Sequence, residues 1–293
     1  MKKTFFTVAV AIVCAVAAQA QVFYKVSGNG LQKPSYIFGT HHLAPLSMLD
    51  SIPSAKAALD ETERAVGEVD MTGGQMQLAA AMQPYMMAPA DSTLRDLIAP
   101  DDYERVSKVF GKYAPMPGMT LDMVSGMRPM VATSMVSIGI MAKELPCFNP
   151  QEQLDTYFQT TAKGAGKEVV GLETADEQAR LLYTTTPLSK QAADLVDMLD
   201  NTGKIVEMSK KLNDSYFRQD VEGLLRLTED DDSDPHFMEA LLDKRNAAWI
   251  EKLPDIMNQG SSFIAVGALH LPGEKGVVEG LRRLGYTIEP VWK

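Results

Sequence analysis

Two of the four histidines in this 293-residue chain end the same short motif. His42 ends Gly-Thr-His-His and His270 ends Gly-Ala-Leu-His, and each glycine closes an apolar run with the composition of a β-strand. Leucine follows both histidines, and a proline lies three residues after His42 and two residues after His270. Imidazole binds transition metals and transfers protons near neutral pH. The repeated Gly-x-x-His motif therefore predicts a site that uses both histidines.

Two further strand-like runs end close to carboxylates. Glu68 follows Ala-Val-Gly, and Glu173 follows Val-Val-Gly-Leu. Two imidazoles and a carboxylate suit a divalent transition metal, and a second carboxylate can accept the proton of an attacking water. We therefore predict His42, His270 and Glu68 as metal ligands and Glu173 as the general base, although the sequence allows Glu68 and Glu173 to exchange roles.

Arg245 and Asn246 are candidates for orienting a substrate, because they lie on a predicted helix just before the His270 strand. His41 is expected to pack or to support the site, since adjacent residues at a strand end point to opposite sides. His236 follows Asp-Pro in an acidic stretch and is predicted to be exposed. The chain contains no Gly-x-Ser-x-Gly motif, which disfavours a serine esterase.

The order of strand-like and helical segments predicts an α/β fold with a mainly parallel central sheet and flanking helices. Strands are predicted near 22–26, 35–38, 65–70, 167–170, 261–266 and 286–291, the first of them as an edge strand. Because parallel strands point their carboxyl ends the same way, His42, Glu68 with Asp70, Glu173 and His270 should meet at one edge of the sheet.

A long segment, residues 71–150, is predicted to be a helical insertion without strands. It contains 12 of the 18 methionines, counted from Met71 to Met141. Methionine is flexible and fills irregular helical cores, which is one interpretation. A second interpretation is an adaptable apolar groove or lid that holds a peptide or lipid-like ligand. A third, disfavoured because Met-x-x-Met pairs are sparse, is a copper-binding methionine cluster, and the interpretations stay open.

The N-terminus is typical of an export signal. Lys2 and Lys3 precede an apolar run, and Ala-Gln-Ala ends at residue 20. We therefore predict a signal peptide over residues 1–20, a domain over 21–293, a periplasmic or secreted location, and no integral membrane segment after cleavage. The formal net charge is −10 and no basic cluster is present, which argues against nucleic acid as a partner.

The sequence resembles the TraB/GumN superfamily, which also includes the PrgY proteins and the Tiki metalloproteases. The resemblance spans Tyr24 to Trp292 and depends on YIFGTHH (36–42), VGEVD (66–70), GLET (171–174) with Gln178, Arg245-Asn246, and VGALH (266–270) with Gly285-Tyr286. It implies a fold related to the erythromycin-esterase and ChaN-like proteins. It also implies a peptidase that manganese or cobalt supports, with His42, His270, Glu68 and Glu173 in the site. His41 departs from the family, which commonly has an apolar residue there.

Two functions follow as hypotheses. The first is an exported metal-dependent hydrolase, most simply a peptidase, that uses manganese, cobalt or zinc on a peptide or protein substrate. The second is a non-catalytic protein that binds a peptide or a haem-like ligand in the Met-rich helical groove. A chelator should abolish the first function and leave the second intact.

Overall fold

The protein is described from a computed structural model that covers residues 21–229 and 234–292. The predicted signal peptide, residues 1–20, lies outside the described residues. The fold belongs to the mixed α/β class and has one six-stranded sheet. Its strands are β1 Phe23–Gly28, β2 Ser35–Thr40, β3 Arg64–Gly67, β4 Glu168–Gly171, β5 Ser262–Gly267 and β6 Tyr286–Pro290.

The strand order is β4-β3-β5-β2-β1-β6. The pairs β4–β3, β3–β5 and β5–β2 are parallel, whereas β2–β1 and β1–β6 are antiparallel. The prediction of β1 as an edge strand is therefore wrong, because β6 covers its free side. Alternation along a strand reports which face is buried, but it does not report how many neighbours the strand has.

Helices fill the connections between strands, except for the short turn from β1 to β2. They are α1 Pro53–Glu61, α2 Gln75–Met86, α3 Leu94–Leu97, α4 Pro100–Tyr113, α5 Pro129–Glu144, α6 Leu154–Gly164, α7 Ala175–Thr184, α8 Leu188–Asp200, α9 Thr202–Phe217, α10 Val221–Glu229, α11 Pro235–Met238, α12 Lys244–Gln259 and α13 Val277–Arg283. A π-helical turn, Glu239–Asp243, joins α11 to α12. Among the described helices, none is long and apolar enough to cross a membrane.

Alternating side chains of the strands build a separate core on each face of the sheet. Phe38 and Phe263 pack with Phe158 of α6 on one face, and the ring centroid of Phe158 lies 4.7 Å from that of Phe263. Ile37 and Ile264 face the other side, where they pack with α12 and α13. The sheet is thus a middle layer between two helical layers, which fixes the positions of its strand ends.

The segment 71–150 contains α2 to α5 and, among its own residues, one isolated β-bridge between Met87 and Met127. Helices α4, α5 and α8 share a core that is distinct from the two cores of the sheet. Of the 12 methionines in this segment, Met141 is buried, whereas Met76 is 88% exposed. That this segment is an insertion into the α/β fold stays a prediction.

Candidate functional site

Side chains that follow three parallel strands line one cavity of about 260 Å³ at the carboxyl edge of the sheet. His42 follows β2, Glu68 follows β3 and His270 follows β5. Arg245 of α12 also lines the cavity. The remaining wall is mostly apolar and consists largely of Leu181, Leu182, Leu212, Leu224, Leu241, Leu242, Ala268 and Leu269. The cavity thus combines a few polar groups with an apolar wall, as small ligand sites generally do.

Arg245 is the centre of the polar cluster, and its side chain is only 7% exposed. Its Nε and Nη2 donate to both carboxylate oxygens of Glu173, at 3.1 and 2.6 Å. The same Nη2 donates to Glu68 at 2.5 Å, and Nη1 donates to His270 Nε2 and the Leu241 carbonyl, both at 3.0 Å. A guanidinium has five N–H donors, so all of them are paired within the protein.

The proton of His270 is assigned by its neighbours. Arg245 has no lone pair to offer, so His270 Nε2 must accept its hydrogen bond and the ring proton lies on Nδ1. That nitrogen donates to Asn246 Oδ1 at 2.6 Å, and the Asn246 amide donates to the Lys275 carbonyl at 3.0 Å. Burial lowers the pKa of His270 to about 4, with Glu68 opposing and Arg245 reinforcing the shift. His270 is therefore neutral, with both ring nitrogens hydrogen-bonded.

Glu68 is ionised because of its partners. Burial alone would raise its pKa, but the positive charge that His270 carries at low pH, the charge of Arg245 and the Gly267 N–H together lower the pKa to about 2. Since His270 is neutral above about pH 4, Arg245 and the Gly267 N–H, which donates at 2.8 Å, are the partners that hold the charge near neutral pH. Gln178 adds a bond at 3.3 Å.

Gly267 of the second motif is required because Glu68 and His270 lie close to its Cα, and not because its backbone conformation is unusual. Its φ is −52°, which any residue adopts. A Cβ there would lie 3.2 Å from Glu68 Oε1 and 3.4 Å from the His270 ring. The glycine therefore leaves room for Glu68 to reach the backbone N–H.

His42 lies in different surroundings, with a side chain that is 74% exposed. Its Nδ1 lies 3.0 Å from Gln153 Oε1 and 3.4 Å from Asp155 Oδ2. Asp155 is in the first turn of α6, and its other oxygen accepts a hydrogen bond of 2.5 Å from Thr40. Burial raises the pKa of Asp155, while His42 and Thr40 oppose the rise.

His41 lines the same cavity as His42, so the expectation that only one of the two histidines faces the site is not confirmed. Its ring centroid lies 5.1 Å from that of Tyr216, whose hydroxyl donates to the Gly39 carbonyl at 2.7 Å. Burial and the neighbouring His42 lower the pKa of His41 to about 4. His41 is therefore a neutral packing residue that supports the first motif.

A comparison with known protein families identifies the family of this chain. The model of the TraB/PrgY/gumN family matches residues 22–290, nearly the whole of the described chain. The chain belongs to the TraB/PrgY/gumN family. The resemblance based on the motifs of this sequence is thereby confirmed.

The family member is also similar to a curated protein named Metalloprotease TIKI1 from Xenopus tropicalis. The two are 23% identical over 308 aligned residues, which cover 87% of this chain and 59% of the relative. The chain thus spans less than two thirds of that relative's length. No solved structure matches the chain significantly.

The structure brings some of the predicted site residues to the cavity and leaves others behind it. His42, Glu68, Arg245 and His270 line the cavity of about 260 Å³, whereas Glu173 lies behind Arg245 and lines a separate cavity of about 440 Å³. Within residues 21–229 and 234–292, no three His, Cys, Asp or Glu side chains form a group that could hold a metal. The assigned roles of these residues stay predictions.

Sequence reasoning did not identify Asp155 and Gln153. Asp155 is separated from Thr40 by 115 residues, and an aspartate in the first turn of a helix is usually explained by the helix dipole. Thr40 of Gly-Thr-His-His could have indicated such a partner, because a buried hydroxyl at a strand end requires a hydrogen-bond acceptor.

Proposed function

We propose that this family member is an exported metal-dependent hydrolase that cleaves peptide bonds. The observation that carries the proposal is the meeting of His42, Glu68 and His270, from three strand ends, in one largely apolar cavity. Membership of the family and similarity to a protein named as a metalloprotease support this reaction class. The apolar wall favours a peptide with an apolar side chain beside the bond that is cleaved.

Glu68 is the better candidate for the group that accepts the proton of the attacking water. It lines the cavity and is ionised at neutral pH, because its pKa is about 2. Glu173, predicted for this role from the sequence, uses both oxygens to bind Arg245. We assign Glu173 the task of holding Arg245 in place, so in this proposal neither glutamate is a metal ligand.

Arg245 and Asn246 act as positioning residues in this proposal. The five donors of Arg245 are already paired, so a substrate would have to displace a buried partner to reach them. Asn246 and Arg245 together hold the His270 ring from both of its nitrogens. A fixed His270 and Glu68 give the cavity a rigid polar floor, which favours catalysis by a preorganised site.

A divalent transition metal fits the His42 side of the cavity and does not fit the His270 side. Near His42, the oxygen Asp155 Oδ2 is buried and has no hydrogen-bond partner among the described residues. Near His270, both ring nitrogens are hydrogen-bonded and the guanidinium already supplies a positive charge. When bound beside His42, such a cation supplies Lewis-acid activation of water.

The proposal is tested by peptide-library digestion with manganese, cobalt and zinc. We expect cleavage, and we expect EDTA to abolish it. His42→Ala and Glu68→Gln should each lower the rate of cleavage by at least about 100-fold. His236→Ala is the matched control, because its side chain is 69% exposed and belongs to another part of the chain. Unchanged cleavage by His42→Ala would refute the assignment.

Export is tested separately, because residues 1–20 lie outside the described structure. Cell fractionation followed by N-terminal sequencing should find the protein outside the cytoplasm with Gln21 as its first residue. A retained Met1 would contradict this part of the proposal.

The exposed methionines support a second candidate, a non-catalytic binding protein. Met76, Met116 and Met123 are 88%, 57% and 65% exposed. Methionine side chains are flexible, which suits the binding of a peptide or a haem-like ligand. Binding that survives both EDTA and His42→Ala, with no cleavage, would favour this function.

A further inference from the structure

The two Gly-x-x-His histidines differ sharply in what they can offer a cation. The His270 side chain is 5% exposed, whereas the His42 side chain is 74% exposed. His270 Nε2 accepts from Arg245, and Nδ1 donates to Asn246. A metal at His270 would have to displace the buried Arg245 guanidinium from the Nε2 lone pair and then lie beside that positive charge. The shared motif therefore does not give the two histidines equivalent roles.

Asp155, unlike His270, has an atom that no hydrogen bond occupies. Oδ1 accepts from Thr40 at 2.5 Å, but Oδ2 is buried and has no hydrogen-bond partner among the described residues. A buried carboxylate oxygen without a partner is unfavourable, and an ion or an ordered water usually explains it. The His42 ring lies beside this oxygen, with Nδ1 at 3.4 Å. The orphaned oxygen therefore faces the exposed histidine of the first motif.

The spacing of these atoms fits metal coordination. Nδ1 of His42 lies 3.0 Å from Gln153 Oε1 and 3.4 Å from Asp155 Oδ2. Nitrogen and oxygen ligands at about 2.0–2.2 Å from a metal lie roughly 3.0–3.5 Å from each other in octahedral or tetrahedral geometry. Both separations measured from His42 Nδ1 thus match those of ligands that share one cation.

We propose that the divalent cation of this protein is bound by His42 Nδ1, Asp155 Oδ2 and Gln153 Oε1, and not by His270. The inference rests on the proposed metal dependence and replaces the ligand set that the repeated motif predicts. Thr40 orients Asp155, while the open side of His42 leaves positions for water and substrate. Asp155 and Gln153 begin α6, so helix α6 and strand β2 together form the site.

The first test is calorimetric titration with Mn²⁺ of the wild type, Asp155→Asn, His42→Ala, His270→Gln and His236→Ala. We expect Asp155→Asn and His42→Ala each to weaken binding by at least about 10-fold. His270→Gln and His236→Ala should stay within about threefold of the wild type. Equal losses for His270→Gln and Asp155→Asn would overturn the proposal, and so would the absence of binding to the wild type with Mn²⁺, Co²⁺ and Zn²⁺ in turn.

A second measurement needs no substitution at a buried residue. Pulsed electron paramagnetic resonance of the Mn²⁺-loaded wild type counts coordinated imidazole nitrogens. The proposed site gives one imidazole, which should disappear in His42→Ala; that variant should fold, because His42 is largely exposed. Two imidazoles, or one that persists in His42→Ala, would overturn the proposal even if Asp155→Asn fails to fold.

The outcomes also separate this inference from the proposed function. Peptide cleavage that survives EDTA, with no Mn²⁺ binding, would refute the cation site and support hydrolase activity. Mn²⁺ binding with the expected dependence on Asp155, without cleavage of any peptide, would support the cation site and refute hydrolase activity.

Discussion

Replacing Arg245 with lysine tests whether this residue holds the site together. Lysine keeps the positive charge but has three donors where arginine has five, and it cannot bind both oxygens of one carboxylate in a fork. The variant therefore leaves at least two of the five observed hydrogen bonds unmade. Glu173 and Glu68, whose side chains are 10% and 20% exposed, then lose bonds that water replaces poorly.

The magnitude follows from the bonds that are lost. A hydrogen bond to a charged group contributes about 1.5–3 kcal/mol, so two lost bonds amount to roughly 3–6 kcal/mol before the site relaxes. Lysine also stacks less well over the Trp249 ring, which lies 4.6 Å from the guanidinium carbon. Since relaxation recovers part of the loss, we expect Arg245→Lys to lower the free energy of unfolding by about 3 kcal/mol.

Urea denaturation followed by Trp fluorescence and circular dichroism measures this loss. Arg226→Lys is the matched control, because the Arg226–Asp220 pair is separated by 3.7 Å and its side chains are 64% and 42% exposed. An exposed pair of this kind contributes about 0–1 kcal/mol. A loss below about 1 kcal/mol for Arg245→Lys, or equal losses for the two variants, would refute the central role of the guanidinium.

Three further predictions concern the surroundings of the two motifs. Because the pKa values of His270 and His41 are about 4 in the folded protein and 6.5 ordinarily, unfolding takes up protons between these values. Urea denaturation at pH 7, 6 and 5 should therefore show stability falling as the pH falls from about 6.5 to 4, by up to about 1.4 kcal/mol per pH unit for each histidine; a flat profile would contradict this. Gly39→Ala places a Cβ 2.7 Å from the Leu271 side chain and should destabilise by about 1–3 kcal/mol in the same assay. Gly111→Ala, with nothing within 4 Å, should stabilise by up to about 1 kcal/mol, so equal effects would count against the packing argument. Tyr216→Phe removes the 2.7 Å bond to the Gly39 carbonyl and should cost about 1 kcal/mol, whereas a stability equal to the wild type would show that this bond contributes nothing.

The strands and the edge where they end could be predicted from local patterns. Each of the runs near 35–38, 65–70, 167–170 and 261–266 overlaps a strand, and glycine marks the end or the last residues of that strand. The meeting of His42, Glu68 and His270 then followed from the geometry of parallel strands. The extent of β6 also matched its sequence pattern closely, ending at Pro290.

Which groups face one another could not be predicted, because those contacts join distant parts of the chain. Arg245 lies 177 residues from Glu68, and its helical position does not reveal that every donor points inward. Asp155 reaches Thr40 only because α6 packs on β2 and β5 through Phe158. Side-chain direction depends on these long-range contacts, which a pattern of residue types along the chain does not contain.

The contrast between the two motifs has a physical cause in the position of their strands. β5 lies between β3 and β2, and its end is covered by α12, which brings Arg245 and Asn246 to both nitrogens of His270. β2 is followed by two histidines, so His41 occupies the packing position against Tyr216 and His42 is left at the surface of the cavity. The same Gly-x-x-His sequence therefore gives a buried neutral histidine that supports Glu68 through Arg245, and an exposed histidine whose Nδ1 faces two side-chain oxygens, of Gln153 and Asp155. Chemistry that needs an open coordination position or a contact with substrate is available only at the second of these, which is why the cation site is assigned to His42 and Asp155.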